Sequence, residues 1–400
     1  MDLHHRLFDT PPAADDDGRW ADSGAMALTG GAAPTLPPRS LMPVLRSLEN
    51  ELAARTAELG TRVDVDAVAL LGERAAIAGL TRRGRTSCGG STRLLRARDG
   101  WLAVALPRPD DVALVPAWLG TDDVARGIEG RDAVEGIEAG VLLGLACARL
   151  GETTTSCHAV RWQRHGGAAP RRSLRDALVV DLSALWAGPL CGHLFTSAGA
   201  RVVKVESASR LDGARAGPRG FFDLLHAGQE SVVLDLRAER DRLRSVVRAA
   251  DIVIDASRPR AMSQLGVDVH DIAAGGTVWV SITGHGRDGP GARRVAFGDD
   301  AAVAGGLVAA DGGGPVFVAD AVADPLAGMV AAVAALDRFA AGGGWVVDVS
   351  MARVAAWCAV THPPPDPWTG PAAPPRARRA AGTAAPPGRD TARVLRELGA

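Results

Sequence analysis

The sequence predicts an α/β fold: a doubly wound parallel sheet of Rossmann-like form, with a smaller α+β domain beside it. Two observations carry this. Short Val/Ile-rich runs alternate with helical patterns from residue 176 onward, as expected of strands buried on both faces. The first 175 residues instead show a hairpin signal and shorter helical patterns.

Taken in order, DALVVDLS (176–183) reads as a strand, AGPLCGHLFTSAG (187–199) as a helix and ARVVKVES (200–207) as a second strand, which together make a βαβ unit. Strands follow at 231–236, 251–257, 277–283 and 345–350. Helices are expected over 237–250, over about 325–340 and from Met351. In the first part, STRLLRARDGWLAVALP has apolar runs flanking Asp99-Gly100, a hairpin signal. Helical patterns follow around 109–119 and 133–150. Four segments result: a flexible N-terminus (1–20), a degenerate half-repeat with the small domain (21–175), the large α/β domain (176–360), and a Pro/Ala-rich extended tail ending in a short helix (361–400).

The half-repeat rests on two echoes. SGAMALTG (23–30) matches GGLVAADG (305–312), and GTRVDVDAVALLGERAA (60–76) matches GWVVDVSMARVAAWCAV (344–360), in registers two residues apart.

Composition narrows the function. The 45 basic and 46 acidic residues leave a net charge of -1, which lacks the basic face of a nucleic-acid binder. No uncharged apolar run approaches the ~20 residues of a membrane span. No signal-peptide layout opens the chain, and the five cysteines are scattered without a C-x-x-C pair, so a reducing cytoplasm is expected. The histidines lack metal-ligand spacing, and His4 and His5 read as solvated tail. The turn after the first strand, SALWAGPL, has one glycine where a dinucleotide site needs three. Neither a metal nor a redox cofactor is therefore expected.

The segments VVDLSALWAGPLCGHLFTSAGARVVKVES (179–207), SVVLDL (231–236), SITGHGRDGPG (281–291), VADAVADPLAGMVAAVAAL (318–336) and GWVVDVSMARVAAWCA (344–359), in this order, resemble the family III CoA-transferases, the CaiB/BaiF family. The closing PPGRDTARVLRELGA is similar to that family's ending. The resemblance implies a rearranged form, with the small domain ahead of the sheet domain. It also implies transfer of CoA from an acyl-CoA to a carboxylic acid, with CoA as substrate rather than cofactor, in a homodimer.

The family's nucleophile lies in an A-D-x-x-x-G-M segment, which puts it at Asp324 in VADPLAGM. A carboxylate that attacks a thioester and then carries CoA needs no metal. Asp-Pro before an apolar run also reads as a plain helix start, with Asp324 as N-cap and Pro325 at the first helical position. The resemblance assigns CoA binding to Leu185, Trp186, Ala187, Gly188, Lys204 and Arg258. It makes Gly89 and Gly90 part of a glycine-rich loop over the site. The family's usual cations are absent at Gln229 and Glu230, and where Gln264 replaces the arginine of an Arg-Leu-Gly, which removes partners for CoA phosphates. Two alternatives share the fold. An α-methylacyl-CoA racemase would need a histidine where this chain has Asp299 and Asp300. A non-catalytic acyl-CoA-binding or structural member is the other.

Overall fold

A computed structural model describes residues 3–168, 173–360 and 368–400. A seven-stranded sheet organises the molecule, in the spatial order Val160–Arg164, Trp345–Ser350, Val278–Thr283, Ile252–Asp255, Leu178–Asp181, Arg201–Ser207, Glu230–Leu234. Every neighbouring pair is parallel except the first, where Val160–Arg164 runs antiparallel to Trp345–Ser350. The strand Leu178–Asp181 is flanked by Arg201–Ser207 on one side and Ile252–Asp255 on the other. Strand order reverses here, and the crevice at the C-terminal ends of such strands is where open α/β sheets bind ligands.

Alternate side chains of each strand serve opposite faces, as the period of two requires. Val179, Ile252, Ile254, Val278, Val280 and Val347 pack into one core with Leu190, Leu194, Met329 and Val330. Val180, Val203, Val253, Trp279 and Val346 pack into a second core with Leu243, Val246, Ile272 and Val394. The helix Ala323–Ala340 is buried on nearly every side, which fits a segment apolar all round. A three-stranded antiparallel sheet, Thr92–Ala97, Gly100–Ala105 and Ala146–Arg149, makes the smaller unit. Its core includes Leu95, Leu102, Trp118, Ile137 and Cys147.

Several expectations need correction. Residues 3–20 are not a loose tail: Leu3–Phe8 and Asp16–Ser23 are helices, and Leu3, Leu7 and Trp20 are buried in the main core. His4 is likewise buried, with its ring 4.1 Å from that of Trp357. The apolar spacing of these short helices is hidden between turn-rich residues. The pattern at 133–150 divides, because the helix Ala133–Leu142 ends before Gly144, whose φ is +80°, and Ala146–Arg149 pairs as a strand. The large sheet does not begin at 176, since Val160–Arg164 is its edge strand. The core is also shared, with Leu41, Leu45 and Leu48 of the helix Leu41–Leu59 packed among the residues that surround Ala323–Ala340. The echo at 60–76 does not repeat the strand Trp345–Ser350: residues 62–66 are irregular and lead into the short helices Ala67–Leu70 and Glu73–Ala78.

Of the tail, residues 361–367 lie outside the described residues. From 368 to 390 it is mostly irregular yet fixed on the body: Arg378 pairs with buried Glu73, and Ala384 bridges Ala227. Asp390 exchanges hydrogen bonds with the Ser231 backbone, accepting at 2.9 Å and donating at 2.9 Å. The sheet edge Glu230–Leu234 is thereby covered, which removes an exposed pairing surface.

Candidate active site

The turn after Leu178–Asp181 is built tightly. The Asp181 carboxylate accepts from the Ser183 N–H at 2.8 Å. Leu185 then adopts φ +71°, a strained conformation for a branched side chain, and its N–H donates to Asp212 Oδ1 at 3.0 Å. Helix Ala187–Ser197 follows. A Cβ at Gly188 would lie 2.1 Å from Ser183 Oγ, and one at Gly328 would lie 2.5 Å from the Ala187 carbonyl oxygen. These two glycines let the start of Ala187–Ser197 touch the first turns of Ala323–Ala340. Asp324, one turn ahead of Gly328 on the same face, is thus brought beside the strand-order switch.

The chain enters Asp324 through two further strained residues, Ala319 (φ +49°) and Ala321 (φ +46°). They bracket Asp320 and are held by hydrogen bonds from across the chain. The Ala319 N–H donates to Thr29 Oγ1 at 2.9 Å and the Ala321 N–H to Asp299 Oδ1 at 3.2 Å. The thiol of Cys88 donates to the Ala319 carbonyl at 3.3 Å. Asp324 is not the N-cap that the Asp-Pro pair suggested. Val322 caps the helix, and Asp324 lies in its first turn, where the dipole still favours a negative charge. Its carboxylate fits against Gly298, where a Cβ would meet Asp324 Oδ2 at 2.6 Å.

Four aspartates gather around this point. Asp299 and Asp300 start the helix Gly298–Ala304, and both are buried with Asp320. Asp299 accepts from the Ser87 and Thr92 side chains, and Asp300 Oδ1 accepts from the Phe297 N–H at 2.7 Å. A single guanidinium answers them. Arg74 forks onto Asp320, with Nε to Oδ2 at 2.8 Å and Nη2 to Oδ1 at 2.5 Å. Its planar group lies 5.4 Å from the Trp186 ring centroid, within reach of a cation–π contact.

Charge is therefore under-compensated. Burial pushes the Asp324 carboxyl up to about 7, with Arg74 opposing and the Asp299 and Asp320 charges adding to the rise. Burial and Asp320 lift Asp299 to about 6. Burial lifts Asp300 to about 8 against its hydrogen bond from Phe297, with Asp299 adding. Asp324 remains partly exposed, so this is a carboxylate that titrates near neutrality with access to solvent, as reactive carboxyls often do.

The other sequence-proposed residues distribute as follows. Trp186 is buried and bridges Arg74 to Phe221, whose ring centroid lies 5.2 Å away. Ala187 and Gly188 are buried at the start of the helix Ala187–Ser197, while Leu185 stays exposed in the turn before it. Arg258 is exposed just beyond the end of Ile252–Asp255, on the other side of the switch point. Gly89 and Gly90 lie over Arg74 and Arg83: a Cβ at Gly89 would come 3.5 Å from Arg74 Nη2, and Gly90 has φ +82°. Lys204 needs correction as a CoA contact. Its ammonium is buried and bonded inward to Asp212 Oδ2 at 3.0 Å, Ser183 O at 2.5 Å and Asp181 Oδ2 at 3.5 Å. It braces the turn from beneath.

Sequence reasoning missed Arg74 and Asp320, which are 246 positions apart. The repeated spacing in A-D-A-V-A-D, with carboxylates four residues apart, was the available signal for Asp320. Among the described residues, no group of three or more His, Cys, Asp or Glu is arranged to hold a metal, and no helix is long and apolar enough to cross a membrane.

Residues 174–389 match the family model of CoA-transferase family III. Succinyl-CoA--D-citramalate CoA-transferase of Chloroflexus aurantiacus is 30% identical over 200 residues, covering 46% of this chain and 50% of that protein. Acetyl-CoA:oxalate CoA-transferase of Acetobacter aceti is 31% identical over 202 residues, covering 46% and 52%. A CAIB/BAIF family protein from Brucella suis is 27% identical, with a TM-score of 0.43 over 48% of this chain and 55% of that one. The chain spans about half the length of these curated relatives. With more than half of its residues matched by the family model, the chain belongs to CoA-transferase family III.

Proposed function

We propose that this chain transfers CoA from an acyl-CoA thioester to a carboxylic acid, with Asp324 as the nucleophile. One observation carries the reading: a partly exposed carboxylate at a helix start, among buried carboxylates and beside the switch point of the sheet. Ala319 and Ala321, in left-handed backbone on either side of Asp320, lead the chain into it.

The chemistry balances without a metal or redox group. An Asp324 oxygen attacks the thioester carbon of the donor, the CoA thiolate leaves, and a mixed anhydride forms. The thiolate then attacks the Asp324 carbonyl carbon, which releases the donor acid and leaves an aspartyl-CoA thioester. The acceptor carboxylate attacks that carbon, and the thiolate departs again to give a second anhydride. The thiolate finally attacks the acceptor's acyl carbon, forming the new acyl-CoA and restoring the Asp324 carboxylate. The switch-point crevice between Leu185 and Arg258 is proposed to receive CoA, with the exposed Arg258 as a cation for its phosphates.

The test is covalent trapping. Protein incubated with acetyl-, succinyl-, propionyl- and aromatic acyl-CoA is quenched with hydroxylamine, and the modified peptide is mapped by mass spectrometry beside Asp324→Ala. Modification at Asp324, absent in the variant, is expected. CoA binding with no aspartate modified would move the assignment to proton exchange at Asp299 and Asp300. Neither binding nor modification would leave a structural member of the family.

A further inference from the structure

The acceptor acid poses an electrostatic problem that the nucleophile does not solve. It arrives as an anion at a point already surrounded by Asp299, Asp320 and Asp324, where like charges repel. Something must offer it a positive, hydrogen-bonding surface. Among the described residues, the cation that acts most on the Asp324 carboxyl is Arg74.

Three features of Arg74 suit it to this task. Its Nε and Nη2 edge is bonded to Asp320, which fixes the plane of the group. No partner for Nη1 is found among the described residues, and a guanidinium carries five N–H donors, so its other edge is free. Trp186 lies against it at 5.4 Å, and the glycine loop lies close to both Nη atoms, with a Cβ at Gly89 falling 3.5 Å from Nη2 and 3.9 Å from Nη1. The loop thus packs more closely on the bonded Nη2 than on Nη1, which leaves the unpaired edge as the side on which a carboxylate can approach. The side chain is 31% exposed.

Resting on the reading of Asp324 as nucleophile, we propose that Arg74 is the acceptor-binding residue: its unpaired guanidinium edge holds one oxygen of the incoming carboxylate while the other attacks the carbon of the Asp324 thioester. The thioester state is the right moment. Asp324 is then neutral, so Arg74 is opposed by fewer charges and its pull on a new anion is strongest. When the Asp324 carboxylate is regenerated, competition for Arg74 returns and favours release of the acid. The substrate class is thus any acid that can bring one carboxylate to the unpaired edge of Arg74.

The experiment separates the two halves of the reaction. Two variants are compared with the parent: Arg74→Lys, which keeps the charge but loses the fork, and Arg74→Gln combined with Asp320→Asn, which removes the pair without changing the net charge. Aspartyl-CoA formation is followed with acyl-CoA alone, and steady-state turnover with acetate and succinate as acceptors. The expected result is an acceptor KM raised at least tenfold in both variants, with adduct formation slowed by a much smaller factor. An acceptor KM within twofold of the parent, or both half-reactions slowed alike, would overturn the assignment and make Arg74 a brace for Asp320. Should the double variant fail to fold, Arg74→Lys decides alone. A parent protein that forms no adduct at Asp324 removes both readings; an adduct with an unmoved acceptor KM removes only this one.

Discussion

Two buried carboxylate clusters flank the turn at Ser183–Trp186, and they differ in how much positive charge each is given. Beneath the turn, Asp181, Asp212 and Glu206 share Lys204 and Arg215: Lys204 pairs with both aspartates, and Arg215 forks onto Glu206 at 2.5 to 3.1 Å. Above it, Asp299, Asp300, Asp320 and Asp324 share Arg74 alone. Asp212 is consequently held below the usual carboxylate value despite its burial, with the Lys204 ammonium and the N–H groups of Ala214 and Leu185 outweighing desolvation. Asp324 goes the other way, to about 7. The same side chain becomes a strut in one place and a titrating group in the other, and the supply of cations weighs heavily in which.

The largest expected effect lies in the under-compensated cluster. Asp324→Ala should lower turnover by at least a thousandfold, on the order seen when a covalent nucleophile is removed, while circular dichroism and the unfolding midpoint stay near the parent's. Retention of a tenth of the activity would end the nucleophile assignment. The compensated cluster should answer in stability instead. Lys204→Met leaves Asp181 and Asp212 buried without their cation, at a cost of about 3–5 kcal/mol in denaturant unfolding. A loss below about 1 kcal/mol would mean that water reaches the pair and that the clusters are not so different.

The next test concerns pH. With Asp324 as the proposed nucleophile, adduct formation under limiting acyl-CoA should rise in rate through about pH 7. Asp299→Asn removes a like charge and should move that inflection to lower pH, on the order of one unit. An inflection that stays in place would show that burial alone sets it. The smallest effect is on stability against pH. Asp299 and Asp324 hold protons in the folded state that the unfolded chain releases near 3.8. Their contribution therefore falls as pH rises from about 4 to 7. Asp212 has the opposite sign: its contribution is full above the unfolded value and is lost as pH falls through its lowered one. Asp324→Asn should flatten the decline between pH 4 and 7, which thermal unfolding across that range would reveal.

The parallel strands were readable because each is rich in Val and Ile; WVVDVS is strand at Trp345–Ser350 as read. The edge strand VRWQR was not readable, because an edge strand with one wet face is largely polar and has no run to find. The position of Asp324 came from motif resemblance, and its environment could not have come from any local pattern. Arg74, Cys88, Thr29 and Thr92 reach it from the other half of the chain, through a core that no spacing announces. The N-terminal helices failed for a similar reason: Leu3, Leu7 and Trp20 become core residues only through what they pack against.

Lys204 is the chain's one lysine among 45 basic residues, and it is buried. The solvent-facing cations are therefore arginines, whose guanidinium groups stay protonated and do not act as amine nucleophiles. Acyl thioesters and acyl anhydrides modify free amines on contact. The chemistry proposed at Asp324 passes through such reagents, and a chain that shows the solvent no lysine would give them no side-chain amine to acylate.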